Sequence, residues 1–191
     1  MKASWAISLN EFEREIARHL GAFMDERGRQ MKGHWHGRDI ENRDIHGFGL
    51  AGELAFCKLA GIYWNPTINT FHERPDIEPD VQIRTAREHT HKLIVRKDDL
   101  QHHRHHRFVL VTTDEDKVLY VVRGWIQGWE AEVAAWWGDG TRKFIGDAPE
   151  GGWRPWDDPK RCKPAYFVPQ GALRSMEEFR WGLSRESPRT S

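Results

Sequence analysis

"HERPDIEPDVQIRT", residues 72–85, sets four carboxylates, Glu73, Asp76, Glu78 and Asp80, directly before a β-branched segment that ends in Arg-Thr. Side chains alternate across a strand, so a strand through 81–85 puts Gln82 and Arg84 on one face and Val81 and Ile83 on the other. An acidic turn therefore feeds a strand with one polar and one apolar face. Residues 84–107 then carry seven cations, Arg84, Arg87, Lys92, Arg96, Lys97, Arg104 and Arg107, against Glu88, Asp98 and Asp99. The acidic node borders a basic strip. Hard carboxylate oxygens suit Mg2+ or Mn2+ with room left for phosphate, and flanking lysines and arginines suit the phosphates themselves.

The elements around this stretch give the fold class. "SLNE" has the form of a capping box, Ser8 as N-cap and Glu11 three residues on. Leu9, Phe12, Ile16, Leu20 and Phe23 follow at helical spacing, which predicts an amphipathic packing helix over about 8–27. Residues 27–47 are polar and punctuated by glycine and read as a long connection. A second helix is expected over about 47–60, closed by Gly61. Its apolar course is broken by Glu53, whose helical neighbours are Leu50, Phe56 and Cys57. A carboxylate on an apolar flank calls for a cation, a metal or a hydrogen-bond donor; the plainer alternative is a glutamate at the edge of the face that reaches solvent. Strands are predicted at 81–85, 92–96, 107–113 and 118–126, the first two joined by a link short enough for a hairpin. Helices followed by such strands indicate α+β.

The 191 residues suit one domain with a real core, and the balance of 29 basic and 29 acidic residues creates no global field for nucleic acid or anionic membrane. Partners must be read from local charge. No apolar run is long enough for a signal peptide or a membrane span, so a cytoplasmic location without membrane association is expected. Cys57 and Cys162 stand far apart with no CxxC partner, which points to reduced thiols rather than a disulfide or a cysteine zinc site.

Glu53 on a helix, "PDI" at 75–77 and "QIR" at 82–84 on a strand resemble the PD-(D/E)xK (restriction endonuclease-like) superfamily, with Gln-x-Arg in place of its usual acid-x-Lys. More specifically, the ordered segments "DIEPDVQIRT", "LIVRKDD", "RFVLVTT", "VVRGWIQGWEAE", "WWGDG" and "AYFVPQGALRSM" are similar to small uncharacterised bacteriophage proteins of that superfamily. The resemblance spans about 47–176 and leaves outside it the N-terminal helix and a tail at 184–191. It implies a small mixed sheet flanked by helices, in one nuclease-like domain with an added N-terminal helix. It further implies a phage- or prophage-encoded DNA nuclease acting in the host cytoplasm with Mg2+ or Mn2+ and no small-molecule cofactor. Carried over by position, it makes Glu53, Asp76 and Gln82 the metal-facing residues and puts Arg84 where the lysine stands. Asp80 competes with Asp76, because it shares strand parity with Gln82 and Arg84, whereas Asp76 needs a turn to point back.

Two substitutions bear on activity. Gln82 offers a metal an oxygen without charge, and Arg84 stays protonated, so it can clamp phosphate or stabilise developing charge but cannot act as a general base. The link between "LIVRKDD" and "RFVLV" is also short for the helix usual in the superfamily. An active variant and a nuclease fold kept only for binding nucleic acid or protein both remain open. A homodimer would suit the cutting of two strands, though nothing in the sequence demands one.

The histidines, "HWH" at 34–36, His46, His72 and "HHRHH" at 102–106, admit a structural zinc reading, but four in five residues cannot all face one ion on regular structure. A solvated loop that gains charge as pH falls is the favoured reading of 102–106. Asp98 and Asp99 are expected to cap a short helix. Trp129, Val133 and Trp136 fall at helical spacing and read as a packing face, with stacking on unpaired bases as the sharper alternative. Residues 146–164 should form an irregular excursion, and 165–183 a returning strand and a last helix.

Overall fold

A computed structural model describes residues 5–32, 45–66, 74–138 and 164–179. The chain is α+β. A strand that the sequence reading did not anticipate, β1 (Trp5–Ser8), comes first and is followed by α1 (Glu11–Lys32) and α2 (Ile45–Ala60). Next come β2 (Val81–Ala86), β3 (Leu93–Arg96), α3 (Lys97–His103), β4 (Arg107–Thr113) and β5 (Leu119–Gln127). Short β6 (Trp137–Gly138) and β7 (Ala165–Val168) complete the regular strands among the described residues.

Because Ser8 ends β1, the α1 cap lies two residues later than expected. Asn10 Oδ1 accepts the Glu13 N–H at 2.9 Å, and the Glu13 carboxylate accepts the Asn10 N–H at 2.7 Å, a reciprocal box built on N-x-x-E. The packing stripe of α1 is also rotated from the expected one. Ala17 and Gly21 are buried while Phe12 is 71% and Phe23 48% exposed. Small residues win because the helices nearly touch: a Cβ on Gly21 would stand 2.2 Å from the Gly47 nitrogen of α2. Helix α2 ends where expected, at Gly61 with φ +67°.

One sheet has the order β1-β5-β4-β2, mixed because β2 and β4 are parallel while the other neighbours are antiparallel. A second, smaller sheet has the order β3-β7-β6 and is antiparallel. The expected β2–β3 hairpin therefore does not form. The chain leaves the first sheet after Ala86, places β3 in the second, and returns through α3, the crossover that a parallel β2–β4 pair requires. Central β4 is buried along its whole length, which accounts for its unbroken "FVLV" run.

Each face of the larger sheet covers its own core. On one side α1 and α2 enclose Leu50, Phe56, Val81, Ile83, Val109, Val111, Tyr120 and Trp125. On the other, Phe108, Leu110 and Ile126 meet Leu93, Val95, Leu100 and Val168 from the small sheet and α3. Val81 and Ile83 take the helix side, as strand parity predicts. Arg84 takes the other, with its guanidinium 5.4 Å from the Phe108 ring centre.

The tryptophan segment differs from its helical reading. Two separate 3-10 turns form, Gly128–Ala131 and Ala134–Trp136, because the Gly128 and Trp129 amides donate to the His106 and Arg104 carbonyls and leave the helical ladder. Trp129 is 49% exposed and Val133 38% exposed, so they are not core; Trp136 packs half-buried on the second core. After β7 the expected last helix is replaced, within the described residues, by two 3-10 turns around an antiparallel bridge between Trp125 and Arg174. The "HWH" motif, His72, Glu73, Cys162, most of the 146–164 excursion and the tail lie outside the described residues.

Candidate active site

Four segments, α2, the turn before β2, β2 and α3, bring Glu53, Asp76, Arg84 and Asp99 together. Helix α2 reaches the sheet through Gly52: a Cβ there would stand 1.9 Å from Thr85 Oγ1, so only glycine lets the helix lie this close. Glu53, the next residue, is thereby set against the edge of β2. Asp76 reaches the same place by the turn that its position required. Ile77 and Val81 exchange hydrogen bonds at 3.0 and 2.9 Å, closing the chain over Glu78–Asp80, with a cis peptide before Pro79. Asp76 Oδ2 then accepts the Ile83 N–H at 2.7 Å. This amide points away from β4, so the carboxylate caps the open edge of the sheet.

Arg84 runs between the acids. Its Nη2 lies 2.9 Å from Asp99 Oδ2, and its Nη1 lies 3.6 Å from Asp76 Oδ2 while donating to the Ile83 carbonyl at 3.1 Å. Asp99 does cap α3 as expected, accepting the Arg96 N–H at 3.0 Å. Sequence reasoning stopped at that role. The missing signal was tertiary: an arginine on a buried strand face needs a counter-ion, and α3 folds its first turn over that face.

The acids are not electrostatically equivalent. Burial, reinforced by the charge of Asp76, pushes the Glu53 carboxyl well above its usual range, and the nearby Trp64 indole and Arg84 offset only part of this. Glu53 Oε2 and Trp64 Nε1 are both buried without a hydrogen-bond partner. Burial also raises Asp76, against the pull of Arg84 and the Ile83 amide. At Asp99 burial is outweighed by Arg84, and the carboxyl is held low. Arg84 itself resists its own desolvation through Asp99 and Asp76 and keeps its charge. Cys57, a turn from Glu53, is free and buried as anticipated, and its thiol is pushed up to about 12 by burial and by the glutamate charge.

Gln82 and Asp80 stand elsewhere. The Gln82 amide is buried, with Nε2 3.4 Å from His106 Nδ1, and among the described residues no hydrogen bond joins it to Glu53 or Asp76. Asp80 is held by Arg107, whose Nε lies 3.1 Å from Oδ2. Asp76, not Asp80, is thus the aspartate that meets Glu53 and Arg84. The histidine run is solvated only in part: His102 and His105 are exposed, whereas His103, at the end of α3, is buried and lies against His106 at 4.4 Å between ring centres, and burial lowers the His106 pKa. Among the described residues, no three His, Cys, Asp or Glu side chains have the arrangement of a metal set.

The basic strip divides in two. Arg84 and Arg107 face inward to carboxylates, Arg107 also lying 4.4 Å from the Phe179 ring centre, and Arg104 pairs with Glu132 at 2.7 Å. Arg87, Arg96 and Lys97 are exposed, and Lys92 is half-buried. Among the described residues, no helix is long and apolar enough to cross a membrane. Comparison with protein-family models, with curated proteins and with solved structures finds no match to this chain.

Proposed function

We propose that the chain is a metal-dependent DNA nuclease of the PD-(D/E)xK type, encoded by a phage or prophage. The observation that carries this reading is the convergence of Glu53 and Asp76 from α2 and the pre-β2 turn, two half-buried carboxylates, the Glu53 one with its Oε2 oxygen shut off from solvent, whose mutual repulsion asks for a cation. The residues fit such a cation: Glu53 Oε2 is buried without a hydrogen-bond partner, and both donors are the hard oxygens that Mg2+ or Mn2+ prefer. Glu53 and Asp76 would hold it. Bound there, a divalent ion supplies a Lewis acid for the phosphoryl oxygen and a more acidic water. Arg84, permanently charged, supplies a fixed positive site for a phosphate oxygen or for charge developing on it, and does not act as a base. Gln82 supports the strand from the side of His106. The exposed Arg87, Arg96 and Lys97 offer contacts to the nucleic-acid backbone.

A second reading, a nuclease fold that binds nucleic acid without cutting it, is favoured by one observation. Arg84 already brings a positive charge to both aspartates, which lessens the demand for a metal.

Cleavage of labelled linear and circular, single- and double-stranded DNA with EDTA, Mg2+ or Mn2+ tests both. Metal-dependent products that disappear in Asp76→Ala and Glu53→Ala support the nuclease. Salt-sensitive binding without products at any metal concentration supports the binding module.

A further inference from the structure

We infer that Asp99 is a positioning residue for the Glu53–Asp76 pair: it anchors the Arg84 guanidinium on α3 and thereby leaves Asp76 available to a divalent cation. The inference rests on the metal-binding reading above. Arg84 has two carboxylates on its amino groups, and they are unequal. Asp99 Oδ2 is 2.9 Å from Nη2, whereas Asp76 Oδ2 is 3.6 Å from Nη1, too long for a hydrogen bond. Asp99 is also the stiffer partner. It is 6% exposed, lies in the first turn of α3, and its Oδ2 is fixed a second time by the Arg96 N–H at 3.0 Å. Asp76 is fixed by the Ile83 amide and faces the Nη1 end of the guanidinium at a longer distance, an end held by a neutral acceptor, the Ile83 carbonyl at 3.1 Å.

Remove the Asp99 charge, and the acids left near Arg84 are Asp76 and Glu53. The guanidinium, then held only by the neutral Ile83 carbonyl and the Phe108 ring, closes on them, and arginine–carboxylate pairing satisfies the oxygens that a metal would take. Asp99 and a divalent ion thus act in the same direction, through Arg84, without Asp99 touching the ion. Asparagine at 99 keeps an oxygen for the Arg96 N–H, so Asp99→Asn removes the charge and leaves the helix start in place.

The test is Mn2+ affinity, read by electron paramagnetic resonance of free Mn2+, for the full chain as wild type, Asp99→Asn, Arg84→Gln and the double variant, each checked by circular dichroism. Asp99→Asn should weaken Mn2+ binding about tenfold, within the range of coupling in one ion-pair network. Arg84→Gln, which removes the competing cation, should bind Mn2+ more tightly than wild type. In the Arg84→Gln background, the Asp99→Asn effect should fall to about threefold or less, the residue of its through-space charge. Equal factors in both backgrounds would show that Asp99 acts by its own charge, and would overturn the inference while leaving the metal site standing. Arg84→Gln affinity at or below wild type overturns it as well, and this arm holds even if Asp99→Asn fails to fold. A folded wild type that takes up no Mn2+ overturns the metal reading, and the inference with it.

Discussion

Glu53 gives the sharpest prediction, because its folded and unfolded states hold a proton so differently. Burial and the Asp76 charge raise its pKa in the folded chain, whereas an unfolded glutamate titrates near its ordinary value of about 4.3. Between those two values the folded state keeps a proton that the unfolded state has lost. Stability must then fall as pH rises, and the slope for one retained proton is about 1.4 kcal/mol per pH unit. Asp76, raised in the same way, adds to this slope, while Asp99, held low, contributes stability that is lost only on acidification through its depressed folded value. In Glu53→Gln the side chain keeps its shape and loses the titration, and its new amide can donate to Asp76. Urea unfolding in EDTA at intervals from pH 4.5 to 8 should show the variant gaining on wild type, by up to about 1.4 kcal/mol for each pH unit over which the folded glutamate stays protonated. Above the folded pKa the two curves should run parallel, with the variant the more stable. Adding Mn2+ should stabilise wild type by mass action and leave the variant nearly unmoved. If the two proteins keep a constant difference from pH 4.5 to 8, Glu53 is solvated in the folded chain, and the argument for a cation at this site fails.

Other expectations follow from single interactions. Gly52→Ala drives a methyl group into Thr85 and should cost about 1–3 kcal/mol in chemical denaturation, part of it recovered by a second change of Thr85→Ala. Asn10→Ala should lower stability by about 1 kcal/mol, while Ser8→Ala, whose side chain caps nothing, should leave the denaturation midpoint in place. Alanine at Arg87, Arg96 or Lys97 should leave the denaturation curve unchanged and lower the salt dependence of DNA binding by about one unit of slope for each phosphate no longer neutralised, as read in gel shifts at several salt concentrations. Arg107→Ala should do the reverse: it removes a buried guanidinium and leaves the half-buried Asp80 carboxylate without its partner, lowers stability and leaves that slope alone.

Glu53 could be singled out from sequence because a charge in an apolar helix breaks a local pattern, whereas Asp76, one of four acids before a strand, and Arg84, on the polar face of that strand, were marked by the resemblance to the nuclease motif. A break such as that at Glu53, and a short motif such as that of Asp76 and Arg84, survive the loss of all tertiary information. Asp99 breaks nothing locally. In the first turn of a helix an aspartate is ordinary, and only the fold of α3 over β2 makes it the counter-ion of Arg84. Arg107 shows the converse error of local reading. In a run of cations it resembles surface, yet it is 8% exposed and belongs to Asp80.

The sequence by itself determined where α2, β2, β4 and β5 lie, which face of β2 is apolar, and that Gly61 closes α2, since helical and strand periods and a positive-φ glycine are properties of a few adjacent residues. Tertiary structure alone decided which strand each strand joins. A link that could have closed a β2–β3 hairpin instead sends β3 to a second sheet, because α3 and β7 together bury Leu93 and Val95 completely, and β4, with both faces covered, takes the place beside β2. Strand partners are chosen by the total apolar surface removed from water, a sum over residues distant in the chain that no local window contains.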